Sequence, residues 1–152
     1  MAGNELYDSI ILGGGPAGLT AGIYAMRAAL TIVLIEQGVP GGQVAITKEV
    51  ENYPGFIEIG GFDLCDKFLQ HAKHSGLEII EQEAVATEPG IEYHAVRLAD
   101  GTLFKAHAVV LAAADGCTAA LAAAPYVETR KGGQTCQHDG FSDEQNAKQV
   151  VQ

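Results

Sequence analysis

Three glycines and one carboxylate are the residues of this sequence whose types and spacing could do chemistry. Gly13, Gly15 and Gly18, within Gly13-Gly14-Gly15-Pro16-Ala17-Gly18, fit the pattern G-x-G-x-x-G, and Glu36 follows them. At a dinucleotide such glycines have separate steric tasks: a tight turn, close approach of backbone to a pyrophosphate, and close packing of helix on strand. A helix starting here turns its free N–H groups and the positive end of its dipole toward phosphates. A carboxylate at the end of the next strand can accept hydrogen bonds from ribose hydroxyls. An acid in that place, where a base would suit a 2′-phosphate, points to FAD or NAD and away from NADP.

A bare G-x-G-x-x-G is weak evidence, because glycines also merely punctuate turns. Here the elements needed to position it are all present. Asp8-Ser9-Ile10-Ile11-Leu12 reads as a buried strand, Leu19 to Ala29 as a helix, and Thr31-Ile32-Val33-Leu34-Ile35-Glu36 as a second apolar strand ending in the acid. Strand, glycine turn, helix, strand and acid together make the assignment strong.

Beyond this unit, residues 37–61 are rich in Gly and Pro, with Pro40-Gly41-Gly42-Gln43 and Glu51-Asn52-Tyr53-Pro54-Gly55-Phe56. So long a connection in a compact domain is usually functional. Phe62 to Ser75 is an amphipathic helix with Cys65, Phe68, Leu69 and Ala72 on one face, stopped by Gly76. Leu77-Glu78-Ile79-Ile80 is the next strand. Short β segments follow at 84–88, 93–98 and 102–106, with Ala99-Asp100-Gly101-Thr102 as a hairpin turn. Meanders of this kind commonly cover one face of a parallel sheet. Ala108-Val109-Val110-Leu111-Ala112 is a further buried strand, 113–124 is alanine-rich and helix-prone, and 128–152 is polar with little periodicity.

The composition bounds the alternatives. A chain of 152 residues that is 47% hydrophobic and 18% charged is one soluble domain with a sizeable core. A net charge of −10 disfavours nucleic acid and anionic membrane surfaces. No apolar run approaches the ~18 residues of a spanning helix, and Met1 to Tyr7 lacks the features of a signal peptide, so a cytoplasmic protein is expected. Cys65, Cys117 and Cys136 form neither a disulfide framework nor a zinc set. His71 and His74 share a helix face without a third ligand nearby, so no metal is expected.

Gly13-Gly14-Gly15-Pro16-Ala17-Gly18-Leu19-Thr20-Ala21, Ile35-Glu36, Gly41-Gly42-Gln43 and Glu51-Asn52-Tyr53-Pro54-Gly55-Phe56 resemble the FAD-binding half of the low-molecular-weight thioredoxin reductases. Order and spacing agree through Val109-Val110-Leu111-Ala112. The resemblance narrows the cofactor to FAD. It implies that Gly13, Gly15, Pro16, Ala17 and Gly18 hold the pyrophosphate and that Glu36, with Gln37 beside it, binds the ribose. It places Gly42, Gln43 and Asn52 along the flavin and Val85 by the adenine. It also implies homodimerisation.

The departures are as informative. The family carries a second glycine fingerprint for NADPH and a C-A-T-C-D-G redox pair, and neither occurs here. Gln134-Thr135-Cys136-Gln137-His138-Asp139-Gly140-Phe141 resembles a worn version of that segment, with His138 in place of the second cysteine. A single thiol cannot cycle as an intramolecular dithiol–disulfide, so Cys136 is at most a residual redox thiol. Residues 109–128 alternatively resemble the family's carboxy-terminal helix, which returns to the FAD domain; this is the favoured alignment for 113–124.

The expected architecture is α/β: an FAD/NAD(P)-binding Rossmann-type parallel sheet, with strands near 7–12, 31–36, 78–82 and 108–112 and a small antiparallel meander. The expected division is an FAD-binding domain over 1–127 and a loosely ordered polar tail over 128–152. The expected function is a flavoprotein oxidoreductase that transfers electrons through FAD without its own NADPH site or dithiol, exchanging them with a separate donor or acceptor protein. The alternative is a non-catalytic FAD-binding or interaction module.

Overall fold

A computed structural model of the chain describes residues 5–112. The segments 113–124 and 128–152, and with them Asp115, Cys117, Cys136, His138 and Asp139, lie outside the described residues.

The chain alternates strand and helix at first and then meanders. The elements are β1 (Leu6–Leu12), α1 (Pro16–Arg27), β2 (Ile32–Glu36), α2 (Gly42–Ala45), α3 (Gly61–His74), β3 (Glu78–Glu81), β4 (Ala84–Glu88), β5 (His94–Leu98) and β6 (Leu103–Leu111). They build one six-stranded sheet in the order β3-β2-β1-β6-β5-β4. β3, β2, β1 and β6 are mutually parallel, whereas β5 runs antiparallel to both β6 and β4.

Two apolar clusters lie on opposite faces of the sheet. On one, Ile11, Ile32, Leu34 and Val110 meet Leu19, Ile23 and Ala25 of α1 and Ala72 of α3. The strand residues come from β1, β2 and β6, so the two helices cover the parallel part from one side. On the other, Ile10, Val33 and Ile35 pack against Val96, Leu98 and Phe104 of the meander. The meander therefore covers a face, as the sequence suggested, while staying hydrogen-bonded to the sheet through β6. Central strands buried on both faces explain the apolar runs Ile10-Ile11-Leu12 of β1 and Ile32-Val33-Leu34-Ile35 of β2.

One boundary differs from the sequence expectation. The third meander strand and the strand near 108–112 are a single strand, β6. Nothing in Lys105-Ala106-His107-Ala108 punctuates the chain, and β1 offers it a continuous parallel partner from Lys105 to Leu111. Its first half also pairs with β5. The helix forecast over 62–75 is α3, with Cys65 and Ala72 buried on the expected face. Gly76 follows it at φ 86°, the left-handed conformation that ends a helix. The hairpin turn is as read: Gly101 has φ 88°, and Thr102 N–H donates to Asp100 Oδ1 at 2.8 Å.

Candidate functional site

The site forms where β1 gives way to α1. Gly13 leaves β1 at φ 109°. Its N–H still donates to the Ile35 carbonyl of β2, at 3.0 Å. Gly15 is the N-cap residue in extended conformation, and Pro16, whose missing N–H costs nothing in a first turn, opens α1. The helix thus begins three residues earlier than the apolar run from Leu19 suggests, and Ala17 lies in its first turn.

The glycines divide their work as their surroundings dictate. A Cβ on Gly18 would stand 1.8 Å from the Gly13 carbonyl oxygen and 3.2 Å from Ala112 Cβ, so only a glycine lets α1 start against the end of β1. A Cβ on Gly15 would meet nothing within 4 Å. The space above Gly15 is open, and the first N–H groups of α1, which have no partner within the helix, border it.

Glu36, at the end of β2, reaches back to this loop. Its Oε2 accepts the Gly14 N–H and its Oε1 accepts the Gly38 N–H at 2.9 Å. The carboxylate is therefore held beside the glycine turn by two backbone donors, with Gln37 exposed between them. Sequence spacing placed Glu36 at the right strand end, but not its contact with Gly14, the one glycine of the turn outside the fingerprint.

The loop after β2 folds over the same region. Gly41 N–H donates to the Gly14 carbonyl at 2.8 Å, and a Cβ on Gly42 would lie 3.5 Å from Gly15 Cα. Gly42 thus sits against the glycine turn although far from it in sequence. Gly41 and Gly42 have φ 131° and 54°. They lead into α2, a single turn too short to be read from periodicity, in which Gln43 is exposed. Asn52 is also exposed, and with Val44, Thr47, Glu49, Val50 and Glu51 it lines a cleft of about 450 Å³ beside α2. Val85 stands apart on β4, half-exposed, where the pairing with β5 slips between Ala84 and Ala86. Such a bulge re-aims a side chain.

Ala112 went unnoticed as a site residue. It follows β6, donates its N–H to the Leu12 carbonyl at 3.0 Å, and presents its Cβ to Gly18. A small residue directly after Val109-Val110-Leu111 was the available signal. Among the described residues, no group of three His, Cys, Asp or Glu side chains could hold a metal ion. No helix there is long and apolar enough to cross a membrane.

A mixed sheet whose parallel part carries a β1–α1 turn stripped of side chains, with a carboxylate fixed at the end of β2, has the architecture of the dinucleotide-binding α/β folds. The chain belongs to the pyridine nucleotide-disulphide oxidoreductase family, whose model matches residues 7–151. Thioredoxin reductase of Bacillus subtilis (strain 168) is 46% identical over 113 residues, covering 74% of this chain and 35% of that protein. The crystal structure of thioredoxin reductase from Streptococcus pyogenes MGAS5005 matches with a TM-score of 0.68 and 38% identity, over 71% of this chain and 35% of that one. A ferredoxin-flavin thioredoxin reductase from Clostridium acetobutylicum matches with a TM-score of 0.66 and 27% identity, over 70% of this chain and 37% of that one. The chain spans about a third of the length of these relatives.

Proposed function

We propose that the chain binds FAD as the flavin-binding part of a thioredoxin reductase-like oxidoreductase. The observation that carries this reading is the open space over Gly15, bordered by the start of α1 and flanked by Glu36 and the Gly41–Gly42 turn. Gly13, Gly15, Pro16, Ala17 and Gly18 would hold the pyrophosphate through backbone N–H groups, and Glu36 the ribose. Gly42, Gln43 and Asn52 would lie along the flavin, offering uncharged donors and acceptors to its ring, with Val85 by the adenine. When bound, the flavin supplies redox chemistry, and these residues orient it and shield it from water.

The sequence contains no second G-x-G-x-x-G and no C-x-x-C. In this reading electrons are exchanged with a separate donor or acceptor protein, an arrangement that the likeness to a ferredoxin-flavin thioredoxin reductase supports. The net charge of −10 asks for a partner with a basic face. The purified protein should show flavin absorption bands and release FAD on denaturation. A colourless protein that takes up no added FAD would refute the proposal. Turnover at ordinary enzyme rates in a coupled assay with NADPH and thioredoxin would refute the part concerning the electron source.

A further inference from the structure

The Gly41 peptide is held from both sides. Its N–H donates to the Gly14 carbonyl at 2.8 Å, and its C=O accepts both the Ala45 N–H of α2 and the thiol of Cys65, each at 3.4 Å. Cys65 comes from α3, is 2% exposed, and lies directly beneath the turn. Space there is so short that a Cβ on Gly41 would stand 2.7 Å from Ala45 Cβ and 2.9 Å from Cys65 Cβ. α3 is itself seated on the other end of α2, where Gly61 N–H donates to the Thr47 carbonyl at 3.1 Å and a Cβ on Gly61 would collide with the Val44 carbonyl. Burial pushes the Cys65 thiol up from its ordinary value, which keeps the proton on Sγ and preserves it as a donor. The stripe position that marks Cys65 as a core residue therefore understates it.

We propose that Cys65 is a positioning residue for the flavin end of the site. Its S–H holds the Gly41 carbonyl, and through it sets the distance between the phosphate loop, pinned at Gly14, and the Gly42–Gln43 turn. This rests on the FAD reading above and deepens it. The adenosine diphosphate end is held elsewhere, by Gly13–Gly18 and Glu36, so the two ends of the cofactor should respond differently to changes at Cys65.

The test is to measure FAD and ADP binding to the full chain, freed of bound flavin, for wild type, Cys65→Ala and Cys65→Ser. Cys65→Ala removes the donor and should weaken FAD by about three- to tenfold, the range spanned by one net hydrogen bond, while ADP binding stays within about twofold. Cys65→Ser restores a donor and should return FAD affinity to within about twofold of wild type. Cys65→Val lacks the donor but fills the space that Cys65→Ala would leave, and should show the same FAD-specific loss should Cys65→Ala fold poorly. Equal losses for FAD and ADP would make Cys65 a packing residue only and overturn the proposal, as would unchanged FAD binding in Cys65→Ala. A wild-type protein that binds ADP but not FAD would instead overturn the FAD reading itself, and this proposal with it.

Discussion

Replacing Gly15 or Gly18 by alanine adds the same methyl group three residues apart, yet the two changes should fail in opposite ways. At Gly18 the new Cβ would lie 1.8 Å from the Gly13 oxygen and 2.9 Å from the Gly13 carbonyl carbon. Both are backbone atoms and cannot rotate away. Restoring even a tight contact requires α1 to move from the end of β1 by about 1 Å, and overpacking of this kind costs roughly 2–4 kcal/mol. Gly18→Ala should therefore lower the urea midpoint of the cofactor-free protein, followed by circular dichroism. At Gly15 the backbone is extended, with φ −71° and ψ −179°, which alanine adopts without strain, and no atom lies within 4 Å of the new Cβ. Stability should stay within about 0.5 kcal/mol of wild type, since the lost N-cap preference and the lost unfolded-state freedom oppose each other. The methyl would nevertheless fill the space assigned to the pyrophosphate and push it off the first N–H groups of α1. Losing two charge-assisted hydrogen bonds at about 1.5 kcal/mol each corresponds to roughly a hundredfold in affinity. FAD titration followed by flavin fluorescence measures this directly. If Gly15→Ala folds normally and binds FAD within threefold of wild type, the open space is not where the phosphates sit.

Other sites give independent checks. Glu36→Gln leaves one acceptor where two backbone N–H groups are served, at Gly14 and Gly38, so FAD affinity should fall about tenfold by the same titration. The change should also shrink the preference for ADP over 2′,3′-dideoxy-ADP. Tyr7 Oη donates to Glu78 Oε2 at 3.2 Å across β2, and burial, reinforced by the Glu78 charge, pushes its pKa up to about 12. The neutral phenol is thus favoured in the folded state: its contribution is complete below pH 10 and lost as pH rises toward 12, by roughly 2 kcal/mol. Urea unfolding at pH 9 and pH 12 should therefore show a smaller loss for Tyr7→Phe than for wild type, and equal losses would contradict the assignment. Leu77 is 5% exposed and its Cδ2 would lie 2.4 Å from a Cβ on Gly22, so Leu77→Ala should cost about 2–4 kcal/mol of stability in urea.

What could be read from the amino acids was what local rules determine. β1 and β2 are bounded strands with buried apolar residues, α3 has a clean stripe, and Gly76 and Asp100-Gly101 announce an ending and a turn. The glycine fingerprint and Glu36 could be located because their spacing reflects the geometry of one strand–helix–strand unit. The features that escaped depend on contacts between distant segments. Gly41 meets Gly14, Cys65 supports Gly41, and Ala112 packs on Gly18, and no periodicity encodes any of these pairings. The continuity of β6 was hidden for a related reason. Residues 102–106 and 108–112 look like two strands when each is assigned one partner, and they are one strand because β1 and β5 take opposite edges of it.

The position of the site follows from that sheet order. From β1 the chain crosses to β2 on one side, while β6 occupies the other, so the carboxyl end of β1 lies where neighbouring connections diverge. In open α/β sheets this is where a crevice opens for a ligand. Here the ends of β2, β1 and β6 bring Glu36, Gly13 and Ala112 into one row, and α1 starts directly against it. Each member is small or is satisfied by backbone: Glu36 by Gly14 and Gly38, Gly13 by Ile35, and Ala112 by Leu12. On the proposed reading such a surface would accept a dinucleotide with little rearrangement, because its side chains are already small or withdrawn. Only the Gly41–Gln43 turn is not part of the sheet or of its first crossover. Outside its own helical turn, where the Gly41 and Gln43 carbonyls accept from Ala45 and Thr47, it is tied to Gly14 and to the Cys65 thiol of α3. On the proposed reading, the flavin end is therefore the part of the site that changes at Cys65 should perturb first.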